Sequence, residues 1–282
     1  MIIDFHTHTF PPKIAAAALD KLSDNSGSRP YSNGMIDGLQ DSIKKSGIDM
    51  AVVLPVATSP SQYETINRVA IETNEHTDET GILSFGGIHP DNDNYKDILS
   101  SLKNNGVKGI KLHPVYQNVN FDDIRMKRIV YEASSLGLIT LVHAGYDIGF
   151  PGWNQAVPQR IINVIKDVAP EKLVLAHMGG WNCYEDVCEL IAGKEVYLDT
   201  AFTINPIEKK DGTGLSEYND VQLTNEQFVN LVRKHSADRI LFGSDSPWTD
   251  QGQYVELIKN SGLTDEEAEK ILGANAARLL DI

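Results

Sequence analysis

The chain opens on residues that could hold a metal. Asp4-Phe5-His6-Thr7-His8 follows the apolar pair Ile2 and Ile3, which reads as a short buried strand ending in two imidazoles. Side chains two apart on a strand share a face, so His6 and His8 can reach one cation together, with Asp4 one step deeper. Of the eight histidines in the chain, six stand at or just past the C-terminal end of an apolar, β-branched segment: His6, His8, His89, His113, His143 and His177. The remaining two, His76 and His235, fall in segments of helical character. After the last apolar segment comes Gly243-Ser244-Asp245-Ser246-Pro247-Trp248, which places a carboxylate, Asp245, at a matching point.

The segments that must position these groups are residues 2–6, 50–54, 82–88, 107–112, 138–143, 172–177, 195–199 and 239–243, each short and bounded by turn residues. Helix starts lie between them: Ser59 before Pro60 with Gln62 following, Thr224 with Gln227, and Thr264 with Glu267. Strand and helix therefore alternate, and eight such units without a dividing linker predict a single-domain (β/α)8 TIM barrel over residues 1–282. Two insertions, residues 25–38 and 203–221, are rich in Gly, Ser, Asn and Pro and are candidate lids. A doubly wound open sheet is the alternative, but His-x-His stands where its Gly-rich dinucleotide turn belongs. A (β/α)8 enzyme builds its site at the C-terminal ends of its strands, so imidazoles scattered in sequence converge there, and closure brings Asp245 beside the first strand.

Composition narrows the classes. With 41% hydrophobic and 23% charged residues the chain is an ordinary globular protein with enough material for a core. No apolar run approaches the ~18 residues of a membrane span, and no leader precedes the first strand, so neither a membrane nor export is expected. The only cysteines, Cys183 and Cys188, are five apart and unsuited to a structural bridge, which fits a reducing, cytoplasmic compartment. A net charge of −14 and the absence of a Lys/Arg cluster argue against nucleic acid as a partner.

Taken in order, Asp-x-His-x-His at 4–8, Gly-Ile-Lys-Leu-His-Pro at 109–114, Val-His-Ala-Gly at 142–145, Ala-His-Met-Gly-Gly at 176–180, Gly-Ser-Asp-Ser-Pro at 243–247 and Gly-Ala-Asn-Ala-Ala-Arg-Leu-Leu at 273–280 resemble the amidohydrolase superfamily. Within it, the chain is similar to the group that includes aminocarboxymuconate semialdehyde decarboxylase and pyrone dicarboxylate lactonase. The resemblance implies one or two divalent metals held by His6, His8 and His143, with Asp245 completing the shell. His177 matches a histidine that in relatives is either a ligand of a second metal or an acid/base group. Homodimers are expected by analogy only.

A divalent cation lowers the pKa of a bound water from about 15.7 toward 7, and Asp245 is the candidate base that takes its proton. His177 is the candidate that stabilises developing charge or protonates a leaving group. Strand parity points Lys111 into the barrel with His113, while Ile110 and Leu112 face the helices. A buried ammonium there pairs with a site carboxylate, contacts an anionic substrate, or is carboxylated to bridge two metals as in some relatives. His113 and Trp248 are candidate substrate contacts, and Phe10, Tyr116, Tyr146 and Trp181 candidate walls.

These residues predict a metal-dependent hydrolase of a small-molecule amide, lactone or ester, with a substrate that bears a carboxylate. The alternatives are a nonoxidative decarboxylase, a deoxyribonuclease similar to the TatD family, and a barrel that binds metal without turnover. Gly-Ile-His-Pro at 87–90 and Asp-Ser-Pro at 245–247 suggest the nuclease, but that family carries a Glu where this chain has Lys111. Three imidazoles and a carboxylate suit zinc best, with manganese, iron or cobalt close behind.

Overall fold

Strands alternate with helices from end to end in the computed structural model, which describes all residues, Met1–Ile282. The strands are β1 (Ile3–Thr7), β2 (Met50–Val53), β3 (Ile82–Ser84), β4 (Gly86–Gly87), β5 (Gly109–Leu112), β6 (Ile139–Val142), β7 (Leu173–Leu175), β8 (Tyr197–Asp199) and β9 (Ile240–Leu241). Every pairing is parallel, in two ladders ordered β1-β2-β3 and β4-β5-β6-β7-β8-β9. Further backbone hydrogen bonds join the ladders. Phe85 N–H donates to Val53 O at 2.9 Å, and at the other seam Phe5 N–H donates to Phe242 O at 2.7 Å and His8 N–H to Ser246 O at 2.7 Å. The architecture is the expected (β/α)8 TIM barrel.

The expected strands differ from the observed ones at their ends. The segment 82–88 is one strand position broken at Phe85, whose ring turns inward and packs edge-on against Phe5 with centroids 5.7 Å apart. Pairing also stops short of His177, because its N–H donates to the Asp199 carboxylate at 2.9 Å instead of to a neighbouring strand. His76 lies in the turn before the helix Thr77–Thr80 and not in a helix, whereas His235 ends the helix Asn225–His235. His235 is a core histidine whose Nε2 bonds Val196 O at 2.9 Å.

Period-two alternation sorts the core into layers. Ile3, Phe5, Val52, Leu54, Leu83, Phe85, Ile139, Leu141, Val174 and Leu241 pack together with Ala276 and Leu279 of the C-terminal helix. Their strand neighbours Ala51, Val53, Ile110, Leu112, Val142, Leu175, Leu198 and Ile240 pack with the surrounding helices. Lys111, between Ile110 and Leu112, accordingly points the other way and is 1% exposed. Capping boxes form at Thr224 with Gln227 and Thr264 with Glu267. The insertions meet each other: Ser28 and Lys209 form an antiparallel bridge, and Arg29 pairs with Glu208 at 3.0 Å. No helix is long and apolar enough to cross a membrane.

One buried carboxylate ties the last strand's loop to the first strand. Asp4 accepts from Ser244 N–H at 2.9 Å, Ser244 Oγ at 2.5 Å, Gln251 Nε2 at 2.6 Å and His6 N–H at 3.2 Å. Burial raises its carboxyl to about 6, with the Ser244 and Gln251 hydrogen bonds pulling the other way. Asp4→Ala leaves several buried donors without an acceptor and is expected to cost about 3 kcal/mol. Urea denaturation measures this; an unchanged midpoint would show the seam to be held by other contacts.

Candidate metal centre

Each imidazole at the barrel rim is oriented by its outer nitrogen. His6 Nδ1 bonds Asp199 Oδ2 at 2.8 Å, His8 Nδ1 bonds Leu54 O at 2.9 Å, and His177 Nδ1 bonds Ala201 O at 2.9 Å. His143 is reversed, its Nε2 bonding Tyr146 O at 3.2 Å. An acceptor at one nitrogen fixes the proton of a neutral ring there and leaves a lone pair on the other. Those lone pairs confront one another: His6 Nε2 lies 3.2 Å from His8 Nε2, and His143 Nδ1 3.1 Å from His177 Nε2. Burial is the main cause that lowers the pKa of His6, His143 and His177, so these rings favour the neutral form. Facing lone pairs without a proton between them repel, and a cation relieves the repulsion, so the donor set fits a divalent metal.

Asp245 completes one group. Its Oδ1 stands 3.3 Å from His8 Nε2 and 3.7 Å from His6 Nε2, and ligand atoms of the three residues all lie within 4.8 Å of one another. The backbone delivers it there: Asp245 has φ of +66°, its N–H donates to His6 O at 2.8 Å, and its carbonyl accepts from Trp248 N–H at 2.9 Å. Burial would push this carboxyl up, but the adjacent imidazoles of His8, His6 and His177 hold it below the usual carboxylate range. His143 and His177 form the other pair, with the rings of His6 and His177 5.3 Å apart.

Lys111 Nζ lies 3.2 Å from His6 Nε2, so its hydrogen-bond partner is an imidazole and not a carboxylate. Burial lowers its pKa to about 8 against the upward pull of Asp199 and Asp245. A cation on His6 competes with Lys111 for the same lone pair. His113 is stacked between Tyr116 and His143, with ring centroids 3.7 and 4.2 Å away. His89 lies outside the cleft, where its Nδ1 accepts from Asp91 N–H at 3.2 Å.

Two acids not named as candidates from the sequence stand beside these groups. Asp199 receives His6 Nδ1 on one oxygen and His177 N–H and Ala201 N–H on the other, at 2.8, 2.9 and 3.1 Å. Its signal was parity: Leu198 packs outward, so Asp199 must face in. Asp147 shares a cluster with His113 and His143 and is buried, which raises its carboxyl to about 6. Its only signal was its place four residues after His143 in a loop.

Around the centre lies a cavity of about 610 Å³ walled by Phe10, Tyr116, Tyr146, Trp181 and Trp248, with Lys111 the one Lys or Arg among its lining residues. Gly145 makes part of this wall possible. It has φ of +91°, and a Cβ there would sit 2.2 Å from Trp181 N.

The amidohydrolase family profile matches residues 3–282. Among solved structures, 2,6-dihydroxybenzoate decarboxylase from Rhizobium superposes with a TM-score of 0.69 at 13% identity, covering 99% of this chain and 98% of that one. A dihydroxybenzoic acid decarboxylase from Polaromonas sp. JS666, solved with bound manganese and an inhibitor, gives 0.68 at 14%, covering 99% and 96%. A probable 2-pyrone-4,6-dicarboxylic acid hydrolase from Acinetobacter baumannii gives 0.64 at 14%, covering 100% and 99%. No curated protein matches. At these identities the likeness shows the fold.

Elemental analysis of purified protein tests the centre. His6→Ala and Asp245→Asn are expected to lose bound metal while far-ultraviolet circular dichroism stays unchanged. Asp199→Asn, which removes only the acceptor behind His6, is expected to weaken metal affinity by about 10–100-fold in equilibrium dialysis. Full metal content in all three variants would place the cation elsewhere.

Proposed function

The chain belongs to the amidohydrolase family, and from that premise we propose that it is a metal-dependent hydrolase acting on an amide, lactone or ester of a small anionic molecule. The observation that carries this reading is the carboxylate of Asp245 at hydrogen-bond distance from His8 and open to the cleft, its side chain 13% exposed. His6, His8, Asp245 and the His143–His177 pair would hold a divalent cation, which would supply Lewis acidity toward a carbonyl and a water. Zinc suits this many imidazoles best.

The side chains of the cleft supply the rest. Asp245 accepts a proton from the attacking water and returns it to the leaving group, and its low pKa keeps it ionised for the first of these steps. His177, neutral and with Nδ1 committed to Ala201, presents a lone pair and so acts as a ligand or proton acceptor before it acts as a donor. Lys111 offers the cleft's single ammonium to a substrate carboxylate or to charge developing on oxygen. The aromatic walls hold a flat substrate and keep bulk water away from it.

One set of observations favours a second reading, a nonoxidative decarboxylase. Flat aromatic walls and a single cation fit an unsaturated carboxylic acid, and two of the similar structures are decarboxylases of dihydroxybenzoates. There the carboxylate would leave as carbon dioxide, and a proton drawn from water would take its place on carbon.

Incubating metal-loaded protein with small panels of amides, lactones, esters and aromatic acids separates the two. Hydrolysis products by mass spectrometry are expected, with the rate falling at least ~100-fold in Asp245→Asn. Carbon dioxide release without hydrolysis of any panel member would replace the first reading with the second.

A further inference from the structure

Asp147 and His113 stand in the cleft apart from the His6–His8–Asp245 group, and their polar atoms are arranged but not paired. Asp147 Oδ1 accepts from Gly149 N–H at 2.8 Å, which fixes the carboxylate plane. No side chain donates to its Oδ2; the Gly149 and Phe150 N–H groups are the backbone donors that approach the carboxylate. The atoms facing it are His113 Nε2 at 3.6 Å and His143 Nε2 at 4.0 Å, both beyond hydrogen-bond range. Both residues line the cavity, and Asp147 is only 7% exposed. An acceptor oxygen of a nearly buried residue that lines the cleft is open to a donor brought by a ligand.

His113 has a defined proton position. Its Nδ1 accepts from Tyr116 N–H at 3.3 Å, so the neutral ring carries its proton on Nε2, facing Asp147. The ring cannot swing away, since it is clamped between the rings of Tyr116 and His143. The pair thus offers one donor and one acceptor 3.6 Å apart, close enough for one hydroxyl oxygen placed beside them to reach both. A cation fits this gap less well, because binding at Nε2 would force the His113 proton onto Nδ1 against the Tyr116 N–H.

We infer that Asp147 and His113 form a subsite that selects substrates bearing a hydroxyl group, the hydroxyl accepting from His113 Nε2–H and donating to Asp147 Oδ2. This rests on the reading of the cleft as a substrate site but not on which reaction follows. Asp147 is thereby a specificity residue, distinct from the groups that hold the metal.

Binding tests it independently of turnover. The probes are benzoate and its 2-, 3- and 4-hydroxy isomers, titrated into metal-loaded protein by calorimetry. At least one hydroxy isomer is expected to bind wild-type protein 10-fold or more tightly than benzoate. That advantage is expected to fall within twofold in Asp147→Leu. It should fall equally in Asp147→Asn, which keeps the Gly149 contact through its amide oxygen but turns a second donor toward His113, so misfolding of the Leu variant does not decide the outcome. His113→Phe, which preserves the stack and removes the donor, should lose it too. An equal affinity of all four probes for wild type, or a hydroxyl advantage retained in Asp147→Asn, overturns the subsite. Loss of one metal equivalent in Asp147→Asn also overturns it, since Asp147 would then be a cation ligand. Absence of hydrolysis and decarboxylation with the hydroxyl preference intact would count against the proposed reaction and leave the subsite standing.

Discussion

The rim depends on how the first and last strands of the barrel are joined. β1 and β9 share few ladder bonds, and the contact is completed by Asp4, which draws in Ser244 and Gln251 from the last strand's loop while receiving His6 N–H from its own strand. Asp245 then follows one residue after Ser244, its N–H on His6 O. The carboxylate and the two imidazoles that it faces are therefore positioned by one seam, although they lie at opposite ends of the chain. A register slip of one residue there would turn the side chains of the strand to the opposite face and disperse the group.

A second constraint acts on the rings. Anchoring one nitrogen of each histidine to a carboxylate or carbonyl aims the opposite lone pair inward, and burial disfavours relief by protonation. A cation entering the rim would relieve this crowding of lone pairs, which at His6 is met by Lys111 Nζ. Binding of such a cation would stabilise the folded state by about 4 kcal/mol at a thousandfold excess over its dissociation constant. Asp199 couples the two halves of the cluster, since one carboxylate orients the His6 ring and positions the His177 backbone.

Much of this was legible from strand periodicity. Alternation identified the strand positions and their inward faces, and the fold followed from their number and spacing. Ends were harder to read, because apolarity and isolated inter-strand bonds continue past the last regular strand pair: Phe85 and Ala176 belong to the inner core although neither lies in a strand. Six histidines were placed at strand ends from spacing alone, but nothing local distinguishes His113, which faces the cleft, from His89, which caps a loop before Pro90. Asp199 and Asp147 escaped notice as functional groups because their partners are remote or conformational. His6 is 193 residues from Asp199, and the stacking that fixes His113 opposite Asp147 is a property of the folded loops. Lys111 was correctly turned inward by parity, yet its neighbour at His6, 105 residues away, could not be read from the sequence.

The central claim is that closure of the barrel makes His6, His8 and Asp245 grip one ion. Anomalous diffraction from crystals of zinc-loaded protein, collected on both sides of the metal's absorption edge, tests it most directly. The expected result is a peak about 2.0–2.2 Å from His6 Nε2, His8 Nε2 and an Asp245 oxygen. A cleft with no peak at full loading, or a peak bound only by groups outside this set, would contradict it.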